Sequence, residues 1–407
     1  MKNLIERDIE KSVMKWLDSE EVLVIRGSRQ VGKTTLLEKI GEKLKEEGKK
    51  VHLITFEDDI EKEKFEKDPR GYVEFLIGED KEKHFFLLDE IQYVKSAGKF
   101  LKLIYDTIKN VKIIITGSST LDLNEVGSYL VGKALFFELF PFSFAEFLRA
   151  KDIKTYEYYI KNKFNVNSPK KLNTLFLDKL NLLLKDYITY GGYPKIVLEK
   201  EIESKRFLLK NLFITYIEKD IVKVYGIRYK QKIIDLIRNL SSINSSIVNY
   251  DELGNLAGLY NKELKEILSI LEDTYIIRLI KPFHKNLASE LRKNPRVYFI
   301  DTGLRNFISE RFEFSNEEFG KLLENYVLNK FKEERVNYWR TKSKAEVDFV
   351  LGEEIPVEVK LTPKITRAFR SFVSAYNPKI AIIVNLNSFS ESKLGKTKVY
   401  IVPASLI

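Results

Sequence analysis

Short apolar runs alternate with helix-period stretches through the first third of the chain. Val22–Ile25, Lys50–Thr55, Phe85–Leu88, Lys112–Thr116 and Leu135–Glu138 read as strands, and Leu36–Glu47 and Phe100–Lys109 read as helices between them. Runs of continuous rather than alternating apolar residues predict strands buried on both faces, hence a parallel sheet covered by helices. After about Leu148 the texture turns helical, at Phe144–Ala150 and Thr174–Lys185, with a polar stretch at Asn162–Lys170 that reads as a surface loop. Tyr187-Ile188-Thr189-Tyr190-Gly191-Gly192-Tyr193-Pro194 is a turn signal, and helix resumes to about Val224. Three helices then follow, Gln231–Leu240, Tyr250–Ala257 and Asn261–Asp273, with a strand at Tyr275–Ile280 behind them. That is the order of a winged helix. From Val297 alternation returns: strand Val297–Ile300, helix Glu317–Glu333, strand Val336–Tyr338, hairpin Glu346–Lys360, helix Ile365–Tyr376 and strand Ile380–Val384.

Composition narrows the chemistry. The 407 residues suffice for two or three domains, and 44% hydrophobic content supports real cores. No apolar run approaches the roughly 20 residues that span a bilayer. The first eight residues mix charges without an apolar core segment, so a cytoplasmic location and no membrane partner are expected. Cysteine is absent, which removes disulfides, thiolate metal sites and cysteine nucleophiles. His52, His84 and His284 are scattered along the sequence, leaving carboxylates, lysines, hydroxyls and a bound metal to carry any catalysis. The formal net charge is +10; residues 221–300 hold 13 Lys/Arg against 8 Asp/Glu, a net of +5, so half the excess lies in about a fifth of the chain.

The strongest local signal is Gly27-Ser28-Arg29-Gln30-Val31-Gly32-Lys33-Thr34, followed by Thr35, between a strand and a helix. This Gly-x-x-x-x-Gly-Lys-Thr loop wraps backbone N–H groups around a β-phosphate at a helix N-terminus. Lys33 is expected to reach the β- and γ-phosphates, and Thr34 to bind Mg²⁺. Its complement is Phe85-Phe86-Leu87-Leu88-Asp89-Glu90, a buried strand ending in two acids. Asp89 is the expected magnesium support and Glu90 the expected base for the attacking water, with Lys33 as the second catalytic group. Thr116, Ser118 and Ser119, at the end of a further strand, are candidate γ-phosphate sensors.

These strings resemble a family of archaeal and bacterial AAA-type P-loop ATPases that carry a central winged helix and a C-terminal nuclease-like domain. The likeness continues in Phe-Glu-Leu-Phe-Pro-Phe-Ser-Phe-Ala-Glu-Phe-Leu at 137–148 and in the Tyr-Gly-Gly-Tyr-Pro turn at 190–194. It implies a magnesium-dependent ATPase whose site is completed at a subunit interface, hence a homo-oligomer with shared ATP sites. Relatives carry Leu-Ala-Gly-Arg shortly before the Phe-Glu-Leu string; here the segment is Leu130-Val131-Gly132-Lys133, which makes Lys133 a further sensor candidate without the planar fork of arginine. No arginine finger is assigned.

In the C-terminal segment, Asp348 stands on one arm of the predicted hairpin and Glu358 and Lys360 on the other, with Glu324 on the preceding helix. Side chains two apart on a strand share a face, so Glu358 and Lys360 project together. Carboxylates beside a lysine suit a second divalent metal and phosphodiester hydrolysis, and the pattern resembles the Asp…Glu-x-Lys core of restriction-endonuclease-like nucleases. An ordinary exposed hairpin also produces Glu-x-Lys. In the basic middle, Lys262 and Lys265 on the third helix, with Arg278 and Lys281 on the strand behind it, are candidate DNA contacts; Lys285, Arg292, Lys293 and Arg296 belong to the wing.

The expected architecture is α/β: a P-loop NTPase parallel sheet (1–148) with a helical lid (149–226), then a winged helix (227–296) and a restriction-endonuclease-like, PD-(D/E)xK-like α/β domain (297–407). The expected activity is Mg²⁺-dependent ATP hydrolysis coupled to rearrangement of the C-terminal domains, with DNA as candidate partner. A metal-dependent DNA nuclease regulated by ATP and a nucleotide-switched binding or scaffold protein are the alternatives.

Overall fold

Val22, Leu23, Val24 and Ile25 are each at most 1% exposed, as expected of a strand covered on both faces, and they form an interior strand of the N-terminal sheet. This computed structural model describes residues 4–117, 126–165, 173–222, 230–283, 293–352 and 354–407. Ser118, Ser119, His284, Lys285 and Arg292 lie outside the described residues. The chain divides into two compact units, Met1–Phe142 with Asp273–Tyr275, and Ser143–Glu272 with Ile276–Ile407.

The first unit runs α1 (Glu10–Lys15), β1 (Val22–Arg26), α2 (Lys33–Glu46), β2 (Lys50–Thr55), α3 (Asp59–Lys67), α4 (Pro69–Ile77), β3 (His84–Asp89), α5 (Ala97–Thr107), β4 (Val111–Gly117) and β5 (Ala134–Glu138). Its five strands are parallel in the order β2-β3-β4-β1-β5. Crossovers bring the end of β1, where the phosphate loop begins, beside β4, with β3 next to it. Leu36, Leu37, Ile40 and Leu44 give α2 a buried stripe at helical spacing. Buried Glu10 pins α1 to α2 by ion pairs with Lys39 at 2.8 Å and with Lys43. Burial opposes ionisation of Glu10, but the hydrogen bonds and charge of the two lysines outweigh it and hold its pKa below the usual value.

The second unit opens with α6 (Phe144–Lys151), whose Ser143 and Glu146 form a capping box. Helices α7 (Ile153–Asn162), α8 (Thr174–Tyr190), α9 (Pro194–Leu198) and α10 (Ile202–Tyr216) follow. Next come α11 (Lys230–Ser242), β6 (Ser246–Ile247), α12 (Tyr250–Ala257), α13 (Asn261–Asp273), β7 (Ile277–Ile280) and β8 (Arg296–Phe299), the three strands pairing antiparallel in the order β6-β8-β7. Beyond them lie α14 (Thr302–Ile308), α15 (Asn316–Lys330), β9 (Val336–Arg340), β10 (Glu346–Leu351), β11 (Ile355–Val359), α16 (Arg367–Tyr376), β12 (Ile380–Asn385), β13 (Ser390–Leu394) and β14 (Thr397–Pro403). Strands β9 to β14 form a mixed six-stranded sheet in the order β13-β14-β12-β11-β10-β9. Its core gathers Trp339, Val347 and Val350 with Phe369, Phe372 and Val373 of α16.

The Tyr-Gly-Gly-Tyr-Pro turn is explained by close packing. Asp301, the N-cap of α14, accepts from Gly192 N at 2.7 Å and Leu304 N at 2.8 Å. A Cβ on Gly191, whose φ is +81°, would lie 2.1 Å from Asp301 Oδ1, so only glycine fits. Burial raises the Asp301 pKa to about 6, against the lowering effect of the backbone donors. Among the described residues, no helix is long and apolar enough to cross a membrane.

Candidate functional site

The phosphate loop leaves β1 at Arg26 and becomes α2 at Lys33. Two glycines make that turn possible. A Cβ on Gly27 would sit 2.0 Å from Leu139 O, and Gly32, the cap of α2, has φ +95°. Lys33 folds back over the loop, with Nζ 3.0 Å from both Gly27 O and Ser28 O, while Thr34 and Thr35 at the head of α2 are exposed. Those carbonyls are neutral partners.

The acids at the end of β3 meet the loop. Thr34 Oγ1 donates to Asp89 Oδ2 at 2.8 Å, and Thr116 Oγ1 bonds the other oxygen, Oδ1. Thr116 also accepts from Glu90 N at 3.1 Å. Fully buried Thr116 therefore orients both acids, a role different from the phosphate contact expected of it. Glu90 has φ +54°, a left-handed conformation costly for a side chain with Cβ, and Gln92 Nε2 bonds its Oε2. Thr34 and Asp89 are hard oxygen donors placed together, which fits a magnesium ion taking its other ligands from phosphate and water.

Lys133 falls elsewhere. Parallel pairing sets Ala134 opposite Val22 and Glu138 opposite Arg26, so Lys133 precedes β5 at the end of the sheet away from the phosphate loop. Four strand steps separate those ends by about 13 Å. Lys133 is held by Asp106 at 2.5 Å and lies 5.1 Å from the Tyr105 ring, so its assignment as a sensor is corrected. Arg7, which sequence reasoning passed over, supports the loop: Nη1 donates to Val31 O and Nη2 to Phe140 O, both at 2.7 Å, and the guanidinium lies 4.8 Å from the Phe142 ring. No motif marks it, because its partners are backbone carbonyls that 24 and 133 residues separate from it. His52 and His84, distant in sequence, meet on β2 and β3 with Nε2 and Nδ1 2.9 Å apart.

The C-terminal carboxylates do converge. Lys360 Nζ stands 3.3 Å from Asp348 and 3.1 Å from Glu358. Asp348 also accepts from Val359 N at 2.8 Å, and Thr366 donates to Glu358 at 3.3 Å. Glu324 receives the Tyr298 hydroxyl at 2.6 Å. Among these acids lies Arg296, 4% exposed, at 3.4 Å from Glu324, 2.8 Å from Glu346 and 3.9 Å from Asp348, with its guanidinium 4.9 Å from the Tyr338 ring. Burial, reinforced by Asp348, raises Glu324 to about 8 and Glu358 to about 7, and Glu358 Oε2 is buried without a hydrogen-bond partner. A divalent ion does not fit this arrangement. Two cations, Arg296 and Lys360, are already paired with its four acids, and among the described residues no group of three His, Cys, Asp or Glu side chains is disposed to hold a metal. The second-metal expectation is without support here, and Arg296, read from the sequence as part of a DNA-contacting wing, pairs with these acids instead.

The basic middle is also partly spoken for. Arg278 donates to Phe331 O and Glu334 O, each at 3.0 Å, capping the end of α15, so it is a structural residue rather than a free phosphate contact. Lys265 lies 5.3 Å from the Tyr250 ring on the exposed face of α13, beside exposed Lys262 and Glu266. Lys281 is half-buried, with its backbone bonded to Tyr338.

Residues 19–148 match the AAA domain family, residues 181–315 a domain of unknown function (DUF8612), and residues 319–407 another (DUF4143). An uncharacterized protein of Haemophilus influenzae is 26% identical over 308 residues, covering 72% of this chain and 71% of that protein. An uncharacterized protein of Methanocaldococcus jannaschii, MJ1637, is 28% identical over 376 residues, covering 86% and 77%. Among solved structures, AMPPCP-bound DnaA from Aquifex aeolicus aligns with 67% of this chain and 90% of its own, at 17% identity and a TM-score of 0.31, too low to carry an argument. Residues 19–148 thus form a domain of the AAA family, carrying the P-loop, and two domains of unknown function follow it in the chain.

Proposed function

We propose that this protein is a magnesium-dependent ATPase that uses turnover to rearrange its C-terminal domains. The observation that carries the reading is the chain of contacts Thr34–Asp89–Thr116–Glu90, which joins the start of α2 to two acids at the end of β3. Nucleotide phosphates take the place of Gly27 O and Ser28 O as partners of Lys33, whose charge then bears on the β- and γ-oxygens. Backbone N–H groups at the start of α2 add the positive end of a helix dipole. Magnesium would supply neutralisation of the phosphate charge, and Thr34 and Asp89 are the residues that would hold it. Glu90, aimed by its left-handed backbone and steadied by Gln92, accepts the proton of the attacking water. Homo-oligomeric sharing of sites and a cytoplasmic location complete the reading.

The test is Glu90→Gln. ATP binding stays within about threefold while steady-state hydrolysis falls by about 10²–10⁴. Unchanged turnover removes Glu90 as the base, and loss of binding removes the reading altogether.

DNA is the partner we propose for the three-helix region, through exposed Lys262 and Lys265 on α13. Charge reversal of both abolishes a salt-sensitive gel shift if they contact phosphates; an unaffected shift assigns DNA binding elsewhere. For the C-terminal domain, the ion pairs of Arg296 and Lys360 support a charge-balanced binding module over a metal-dependent nuclease.

A further inference from the structure

Apart from both sites, a cavity of about 270 Å³ lies between α11 and α14. Each helix contributes a face at the same spacing: Arg238, Ser241 and Ser242 from α11, and Arg305, Ile308 and the cap residue Ser309 from α14. Residues at i, i+3 and i+4 share one side of a helix, so two Arg-x-x-(Ser/Ile)-Ser faces meet across the cavity. Glu310 and Arg311 complete the lining.

Arg305 is the unusual member. It is 5% exposed, yet among the described residues it forms no ion pair. Nε donates to Ser241 O at 2.8 Å and Nη1 to Asn306 Oδ1 at 3.2 Å, leaving Nη2 without a hydrogen-bond partner. A buried guanidinium ordinarily has a carboxylate beside it, because desolvating an unpaired charge is costly. Capping the end of α11 needs only the bond to Ser241 O. It does not explain why Arg238 and Arg311 line the same space.

The charge on the lining itself, with the acid that pairs to it, is positive. Arg311 pairs with Glu318, and Glu310 is exposed on the lining, so three guanidiniums face two carboxylates. Burial lowers the Arg305 pKa to about 10; Glu318 acts to raise it and Arg311 to lower it, and the group stays charged at neutral pH. The three serines donate to carbonyls of their own helices, Arg238 O, Asn239 O and Asn306 O, and rotation of each hydroxyl turns the donor toward an occupant.

We propose that this cavity binds a phosphate group, as free inorganic phosphate or as a small phosphomonoester, with Arg305 at its floor and Arg238 and Arg311 above it. The planar guanidinium fork matches a tetrahedral oxyanion and supplies charge-assisted bonds. A volume at the small end of ligand pockets suits a phosphomonoester better than a polymer, and the burial of Arg305 keeps it from a duplex backbone.

The experiment is calorimetric titration of the full-length chain carrying Lys33→Ala, which disables the phosphate loop, with inorganic phosphate and with methyl phosphate. Saturable binding at one site per chain is expected, weakened about tenfold or more by Arg238→Ala and by Arg305→Gln. Tighter binding of one probe identifies the source. Because Arg305→Gln removes a buried cap, its fold is checked by circular dichroism, and exposed Arg238→Ala decides the matter if that variant is unstable. No saturable binding of either probe, or binding that Arg238→Ala leaves unchanged, overturns the proposal. So does Arg238-dependent binding of a short DNA duplex without affinity for either small phosphate.

Discussion

Two places in this chain gather acids and a lysine at strand ends, and they differ in what those charges touch. Beside the phosphate loop, Asp89 is held by two hydroxyls and Lys33 by two carbonyls. In the C-terminal sheet, Asp348 and Glu358 are held by Lys360, while Arg296 reaches Glu324, Glu346 and Asp348. Neutral partners yield to an incoming phosphate or metal without leaving a charge exposed in low dielectric. Ionic partners do not, since displacing one strands its buried counter-charge. The same residue types thus build a site ready for a cofactor in one region and an ion-paired cluster in the other.

Breaking the second region has the larger effect on stability. Arg296→Ala strands buried acids and is expected to destabilise the second unit by about 3–5 kcal/mol, read by chemical denaturation. A loss under about 1 kcal/mol means that the acids are neutralised in another way. Loosening the first region costs less. Arg7→Ala removes the hydrogen bonds to Val31 O of the phosphate loop and to Phe140 O, with an expected cost of about 1–3 kcal/mol and a raised KM for ATP. An unaltered KM separates Arg7 from the loop's geometry.

The pH dependence sharpens the contrast further. Glu324 and Glu358 have folded pKa values raised by burial to about 8 and about 7, whereas an unfolded glutamate ionises near 4.5. The folded state holds more protons across that window, so stability falls as pH rises from about 4.5 towards 8. A loss on the order of 3 kcal/mol between pH 6 and pH 8 lowers the melting temperature of the second unit by about 6–12 °C. A rise over the same interval contradicts the raised values. The smallest effect belongs to Lys133→Ala: ATPase activity should stay within about twofold, because an exposed pair with Asp106 at the far end of the sheet contributes about 0–1 kcal/mol.

What the sequence showed follows from the range of each interaction. The phosphate loop and the Asp89–Glu90 step were legible because contiguous residues with fixed spacing create them. Helices α12 and α13 were legible to the residue, since apolar periodicity and the Gly258 cap define their ends. Arg7, Arg278 and Arg296 were not, because each acts on atoms 24 or more residues away and nothing local distinguishes it from a surface arginine. Lys133 misled for the opposite reason. Its local string resembled a sensor, and only the register of β5 against β1 shows which end of the sheet it occupies. Strands β13 and β14 were missed because β13 alternates Ser, Glu and Lys with few apolar residues, and pairing with β14 determines it.

Counting bound Mn²⁺ by electron paramagnetic resonance, on the full-length chain with and without ATP, tests the contrast most directly. The account predicts one ion per chain that requires ATP, is lost in Asp89→Asn and is untouched in Asp348→Asn. An ion that binds without nucleotide and disappears in Asp348→Asn would contradict it.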